Sequence, residues 1–397
     1  MVPEGWGKLP LADVCDEKIS YGIVQAGPHI EQGIPYIKSS DLNSEILPDK
    51  LQRTSEAIHA KYIRSAVHPG DIIFSLRGNI GLCQVLPDSI SVANLTQGTA
   101  RISIKAKFST GFFKHQLESS ALNKLILAKS KGSTFQEISL EALRKLPVLV
   151  PPLSEQEKIA KILSSWDNAI TTVEQLLGNS QQQKKALAHL LLTGKQRLSG
   201  FSSGWKTILF GEAFRERVET GFIELPLLSI TSEDGVVNRE ETRRKDTSNS
   251  DKSKYLRICP GDIGYNTMRM WQGVSGLSTL EGLVSPAYTV LTPKPEVDPL
   301  FASYLFKLPA LVHVFYRHSQ GLVSDTWNLK YSNFAKIKWS IPGVEEQKTI
   351  AAVLAGADRE IEILRLQLAG LKQERKALMQ QLLTGKRRVK VDELEVA

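Results

Sequence analysis

Two Gly-Lys pairs, Gly194-Lys195 and Gly385-Lys386, are the first places where this sequence could hold a phosphate. A phosphate-binding loop needs an upstream glycine, a Ser or Thr after the lysine, and a helix that begins at the loop. Neither pair has these companions, and each follows a long helical pattern, so both read as helix ends. There is no GxGxxG, no HExxH and no Cys/His group at metal-ligand spacing, so no metal site is expected. Pro48-Asp49 and Pro87-Asp88 lack the Glu-x-Lys that would complete a metal-dependent nuclease, and Glu346-Gln347-Lys348 lies on a helical segment. The Asn-Pro-Pro-aromatic and Asp-Pro-Pro-aromatic tetrapeptides of amino-methyltransferases are also missing. His313 and His318, five apart, suit packing or surface roles. No catalytic residue is assigned, and catalysis by this chain alone is not expected.

The elements that would position other chemistry come next. The 397 residues, 42% apolar and 23% charged, suffice for two or three globular domains. No run approaches the roughly 18 apolar residues of a membrane helix. Met1 to Val14 carry Glu4 and Asp13 and no apolar core, so no secretory signal is read and a cytoplasmic location is expected. Cys15, Cys83 and Cys259 are isolated and build no disulfide framework. The net charge of +8, with a pI near 9.2, suits a polyanionic partner without demanding one.

The dominant feature is an internal duplication. Residues 155–197 and 346–388 align at a constant offset of 191, with about 18 of 43 positions identical. Glu155/Glu346, Gln156/Gln347, Asp167/Asp358, Lys185/Lys376 and Lys195/Lys386 are among them. The same offset matches Pro69-Gly70-Asp71-Ile72 with Pro260-Gly261-Asp262-Ile263. So long a period excludes a solenoid and describes a tandem of two units, each a globular domain followed by a helix. Four regions follow: domains at 1–150 and 200–342, helical regions at 151–199 and 343–397.

Within the domains, short β-rich runs such as Asp71–Leu76, Ala100–Ile104 and Tyr288–Leu291 alternate with turn signals. Helical stretches near 109–130 and 298–317 follow. The expected class is α+β, with two α/β domains on largely antiparallel sheets. Ser154 with Glu157 reads as a capping box after Pro151-Pro152. Ile159, Leu163, Trp166, Ile170, Val173 and Leu177 then repeat at spacings of four and three. Ile350, Leu354, Ile361, Leu364 and Leu368 do the same in the second copy. This is a heptad seam, interrupted by Ser180 and Lys184 and, in the second copy, by Arg375. Each helix of about 39 residues would be roughly 58 Å long at 1.5 Å per residue. The simplest partner for each seam is the other, in an intramolecular antiparallel coiled coil that separates the two domains with pseudo-twofold symmetry.

These features resemble the DNA-specificity subunit of type I restriction-modification systems, over nearly the whole chain. The carrying residues are Pro151-Pro152-Leu153-Ser154-Glu155-Gln156, Leu192-Thr193-Gly194-Lys195, and their counterparts Glu346-Gln347 and Leu383-Thr384-Gly385-Lys386. The domains add Tyr21-Gly22-Ile23-Val24-Gln25-Ala26-Gly27, Gly70-Asp71-Ile72-Ile73-Phe74-Ser75, Tyr265 to Gly273, and Val284 to Tyr288. The resemblance implies two target-recognition domains that read an asymmetric, two-part double-stranded DNA target, one half each. It implies two methyltransferase and two motor-nuclease partner subunits. The chain itself would need no cofactor, and S-adenosylmethionine, ATP and magnesium would belong to those partners.

On that reading, base contacts should come from polar and basic side chains on loops, because these reach groove edges. The candidates are Arg77, Asn79, Asn94, Gln97, Gln25 and Ser39 in the first domain, and Arg269, Gln272 and Tyr288 in the second. Trp271 is an alternative stacking residue. Arg243-Arg244-Lys245, continued by Lys252, Lys254 and Arg257, would grip phosphate, unless nearby Glu and Asp simply balance a solvated loop. Glu155, Gln156, Lys185, Lys195, Glu346, Gln347, Lys376 and Lys386 recur off the seam and would form two equivalent partner-docking faces. Two other readings stay open: a coiled-coil interaction scaffold without a DNA role, and the specificity component of a type IIB-like restriction enzyme.

Overall fold

The computed structural model describes residues 2–23, 25–132, 136–232, 234–241, 251–323 and 326–391. Two compact units emerge, residues 1–174 with 366–397 and residues 175–365. The long helices Leu153–Leu192 and Val344–Leu382 each give one half to each unit.

In the first unit, Gly7–Pro10 pairs antiparallel with Pro147–Val150 and ties the ends of the globular part together. A four-stranded antiparallel sheet runs in the order Ser20–Tyr21, Thr99–Ile102, Ile72–Ser75, Cys83–Val85. A second sheet sets Ile34–Ile37 between Gln52–Thr54, antiparallel, and Asn94–Leu95, parallel. Helices Thr110–Leu117 and Ser120–Lys129 follow, each capped by a serine, Ser109 or Ser119, whose hydroxyl accepts an N–H of the first turn.

The second unit repeats the edge pair and the four-stranded sheet, but has two separate two-stranded pairs where the first has a three-stranded sheet. Lys206–Leu209 pairs with Lys338–Ile341, and the four-stranded sheet runs Phe214–Glu216, Tyr288–Pro293, Ile263–Asn266, Ser275–Leu277. Leu228–Ile230 pairs with Val236–Asn238, and Leu256–Ile258 with Gly282–Val284. Helices Pro299–Leu305 and Pro309–His318 follow. They are core helices, burying Phe301, Leu311 and Phe315, and no single described helix is long and apolar enough to cross a membrane.

Each unit contains an antiparallel stretch of the helix pair. In the first, Glu155 pairs with Arg388, Asp167 with Arg375 and Glu174 with Lys372. In the second, Ser180 pairs with Glu360, Lys184 with Asp358 and Arg197 with Glu346. One number rises as the other falls, so Ser180, Lys184 and Arg375, which break the heptad seam, are cross-helix polar contacts. Of the seam residues, Ile159, Leu163, Val173, Ile350, Leu354 and Ile361 are buried, while Trp166, Ile170, Leu177, Leu364 and Leu368 are half-buried. The seam is also more than a coiled coil. Ile159 and Leu163 share a cluster with Phe112, Phe113 and Val148, and Ile350 and Leu354 with Phe301, Phe306 and Phe334. The first three turns of each helix therefore contribute to the core of the adjoining globular part.

The helix ends differ from expectation at one point. The first helix begins at Leu153, so Ser154 lies inside its first turn instead of capping it. The two glycine ends agree. Gly194 and Gly385 have φ of +69° and +68°, the left-handed conformation that lets a helix terminate without a Cβ clash.

Candidate nucleic-acid interface

In each unit the central strand of the four-stranded sheet runs out into a loop, and a hairpin after the short helices is bonded to that loop. In the first unit Ile138 N–H donates to the Leu76 carbonyl, and in the second Leu329 N–H donates to that of Thr267, both 191 residues apart in register. The hairpins are closed by paired backbone bonds, Lys131 with Glu137 and Gln320 with Asn328. The result is the same constellation of loops twice.

The first tip assembles Arg77, Gln97, Ser39 and Asn79. Arg77 Nη2 lies 3.4 Å from the Gln97 carbonyl and 3.5 Å from Glu137. Ser39 Oγ donates to the Gly98 carbonyl at 3.0 Å, and Asn79 Nδ2 donates to Asn43 Oδ1 at 2.7 Å. A Cβ at Gly98 would sit 2.7 Å from Ser39 Oγ and 3.3 Å from Arg77 Cγ, so a larger residue there would displace both side chains. Gln25 is exposed, two residues beyond the Ile23–Thr96 bridge. Asn94 is a correction. It is fully buried on a strand with Oδ1 3.2 Å from His59 Nδ1, so it supports the sheet edge and cannot reach a base.

The second tip carries Arg269 and Gln272, both exposed on a single 3-10 turn that ends at Gly273 with φ +77°. Thr267 Oγ donates to the Ala287 carbonyl at 2.7 Å, holding the 285–288 turn alongside. Tyr288 is half-buried against the Ile258–Val290 apolar cluster, with its strand partner Asn266 at the loop's base. Trp271 donates to the Met268 carbonyl and meets Trp327 edge-on at 5.2 Å between centroids. Arg243, Arg244 and Lys245 lie outside the described residues. Arg257, proposed with them as a phosphate grip, is already ion-paired to Glu219 and Glu281.

The hairpins and Asn43 were not anticipated. Their signal was present in the sequence, since Ser130-Lys131-Gly132 and Ser319-Gln320-Gly321 are the same Ser-x-Gly turn after equivalent helices. Gly132 and Gly321 both adopt positive φ, +101° and +141°.

The expected docking residues divide into two groups. Glu155, Gln156, Glu346 and Gln347 are buried and cannot form an exposed face. Glu155 binds Arg388, whose guanidinium stacks on Trp6; Glu346 binds Arg197, which stacks on Trp205. Gln156 accepts from Ser109 N–H and donates to the Pro151 carbonyl, while Gln347 accepts from Asp298 N–H and donates to the Pro342 and Glu296 carbonyls. Lys185, Lys195, Lys376 and Lys386 are exposed. Lys376 and Lys386 line a cavity of about 370 Å³ in the first unit with Arg375, Ser119 and Ser120. Lys185 lines one of about 940 Å³ in the second with Lys184, Leu308 and Pro309, which are the matching positions.

Beside these cavities each Asp of the duplicated helix clasps side chains from both neighbours, Asp167 three of them and Asp358 two. Asp167 meets Arg375, Lys114 at 3.5 Å and His115 at 3.8 Å; Asp358 meets Lys184 and the Tyr304 hydroxyl at 2.7 Å. His115, Glu118 and Asp167 come close enough to suggest a metal group, but Lys114 and Arg375 already neutralise both carboxylates. Burial works against the charged form of Glu118, yet the His115 hydrogen bond and the Lys114 charge outweigh it and hold its carboxyl below the usual range. Burial pushes the Cys15 thiol up to about 12 and raises the Cys83 thiol well above its ordinary value, which makes neither a nucleophile.

Comparison with known proteins agrees with this architecture. Residues 3–182 match the family described as the type I restriction modification DNA specificity domain. The type I restriction enzyme EcoBI specificity subunit of Escherichia coli is 27% identical over 196 residues, which is 48% of this chain and 41% of that protein. The MjaVIII specificity subunit of Methanocaldococcus jannaschii is 24% identical, covering 98% of this chain and 94% of its own. The crystal structure of a type I S subunit from M. genitalium superposes with a TM-score of 0.61 at 15% identity, covering 96% of this chain and 99% of that one. With the duplicated loops and helices already described, the chain is similar over nearly its whole length to specificity subunits of type I restriction-modification systems.

Proposed function

We propose that this chain is the DNA-reading, non-catalytic subunit of a type I restriction-modification complex, and that it reads an asymmetric bipartite target with one half-site per unit. The observation that carries this is the pair of topologically equivalent tips with unlike side chains. Arg77, Asn79, Asn43 and Gln97 offer donors and acceptors suited to base edges, and Arg269 and Gln272 stand at the matching place in the second unit. Equal scaffolds with different readers make two different half-sequences the natural target.

Two methyltransferase subunits and two motor-nuclease subunits would complete the assembly and bring S-adenosylmethionine, ATP and magnesium. The matched cavities beside Lys376 and Lys185 are the positions we assign to the two methyltransferase copies, because each presents an exposed lysine at the same place. The test is a base-resolution methylation map of cells expressing this chain with its methyltransferase partner, against cells lacking only this chain. A gapped asymmetric motif that disappears in the control is the expected result. Methylation that is independent of the chain, with the partner active and bound, would end the DNA-reading assignment.

A further inference from the structure

Two asparagines at the first tip are bonded to each other, and the bonds around them fix which way each amide faces. Asn43 ends the 3-10 turn Ser39–Asn43, and its Nδ2 donates to the Ser40 carbonyl at 2.9 Å. That leaves Oδ1 as the free end, which accepts from Asn79 Nδ2 at 2.7 Å. The turn is anchored from below. Gln84, on strand Cys83–Val85, donates to the Leu42 and Ser44 carbonyls on either side of Asn43, at 3.0 and 2.6 Å, and Leu42 is buried. Asn79 is held as firmly. It sits in the hairpin between Ile72–Ser75 and Cys83–Val85, where Gly81 N–H donates to the Ser75 carbonyl, Leu82 N–H to that of Asn79, and Ser75 Oγ to that of Arg77. Both asparagines are exposed.

This geometry leaves one edge of Asn79 free. A carboxamide carries two N–H donors and one carbonyl acceptor. With one N–H given to Asn43, Asn79 presents the other beside its Oδ1, a donor and an acceptor side by side. In the major groove that pair matches adenine, whose N7 accepts and whose N6 amino group donates, whereas guanine shows two acceptors. Turning the Asn79 amide over would exchange its two ends and lose the match. Asn43 opposes the turn, because the inverted amide would set two carbonyl oxygens against each other. The second tip has no such pair: 191 residues on from Asn79 stands Met270, which is fully buried.

We propose that Asn79 reads an adenine in the half-site of the first unit, and that Asn43 is the positioning residue that keeps Asn79 in its reading orientation. The inference rests on the DNA-reading assignment above.

The test uses the full chain assembled with its methyltransferase partner and duplexes bearing the mapped target. Each adenine outside the methylated positions is replaced in turn by 7-deazaadenine, which lacks the N7 acceptor, or by purine, which lacks the N6 amino group. Competition binding gives the loss at each position. Wild type should lose affinity roughly five- to hundredfold with both analogues at one adenine, in the same half-site where Arg77→Ala relaxes specificity. Asn79→Ala should be indifferent to both analogues there. Asn43→Ala should shrink the loss by roughly two- to tenfold, the worth of one neutral hydrogen bond. Asn43→Asp keeps an acceptor facing Asn79 and should retain the discrimination, its added charge weakening binding to every sequence alike. The position read by Arg77 should keep its preference in both Asn43 variants, which separates a misoriented reader from a collapsed tip. Full discrimination in Asn43→Ala, or its loss in Asn43→Asp, removes the positioning role. No adenine sensitive to both analogues, or the same sensitivity in Asn79→Ala, overturns the adenine contact while leaving DNA reading intact. A complex with no preference for the mapped target removes the underlying assignment and the adenine contact with it.

Discussion

Gln347 offers the sharpest test of the helix starts. It is completely buried and completes three backbone groups of the loop before helix Pro299–Leu305 and of its own helix's approach. Its side-chain oxygen accepts from Asp298 N–H at 2.9 Å, and its amide donates to the Glu296 and Pro342 carbonyls at 3.0 and 2.8 Å. Gln347→Ala strands all three out of reach of water. At about 1 kcal/mol for each buried group left unpaired, the lower end of the usual range, the loss is about 3 kcal/mol. For a unit of this size, that is a fall in Tm of roughly 6–12 °C. The assay is thermal and urea unfolding together with hydrogen exchange resolved by peptide, because two units need not unfold as one transition. Exchange should accelerate first at the Asp298 amide. A loss under about 0.5 kcal/mol, the scale of an ordinary surface change, with unchanged protection at 296–302, would refute the bonding scheme. It would return Gln347 to the docking role its recurrence with Gln156 first suggested.

Three further outcomes follow from the same geometry. Arg77→Ala should weaken binding of the mapped target by about 1–3 kcal/mol and relax specificity at one position of the first half-site, measured by competition among single-base variants; uniform weakening would mean a phosphate contact instead. The depressed pKa of Glu118 gives the first unit stability that is fully present above the ordinary carboxylate value near 4.5 and is lost as pH falls through its lower folded value. Urea unfolding between pH 6 and pH 3 should show that slope, and Glu118→Gln should flatten it. Lys185→Glu and Lys376→Glu should each remove one methyltransferase copy, and together both, by native mass; full occupancy in the double variant would exclude the cavities as docking sites.

Much of the architecture was readable because duplication converts one ambiguous signal into two matched ones. The heptad spacing of Ile159, Leu163, Ile350 and Leu354 marked the helices, but not that their first turns would complete the globular cores, since apolar spacing does not name the partner surface. Recurrence misled at Glu155, Gln156, Glu346 and Gln347. A polar residue repeated off the seam looks like a docking face, yet here it meets demands made by buried backbone and by Arg388 and Arg197 far along the chain. Asn94 failed for a related reason. A loop-like composition around it concealed a two-residue parallel strand, Asn94–Leu95, that takes its side chain inside.

What repeats and what diverges between the units separates scaffold from reader. The Glu-Arg-Trp groups, the glutamine clamps, the Asp clasps and the glycine helix ends all occur twice, and each acts within the helix pair or at its junction with a globular part. The tips keep only their backbone plan. The bonds Leu76–Ile138 and Thr267–Leu329 recur at the same offset of 191 residues, while the side chains that follow Leu76 and Thr267 include Arg77 with Asn79 in one unit and Arg269 with Trp271 in the other. A duplicated protein whose target were symmetric would be under the same chemical demand at both tips. Unlike side chains on matching tips are what the proposed asymmetric target would require, since loop residues can change there without disturbing the buried bonds that hold the loops in place.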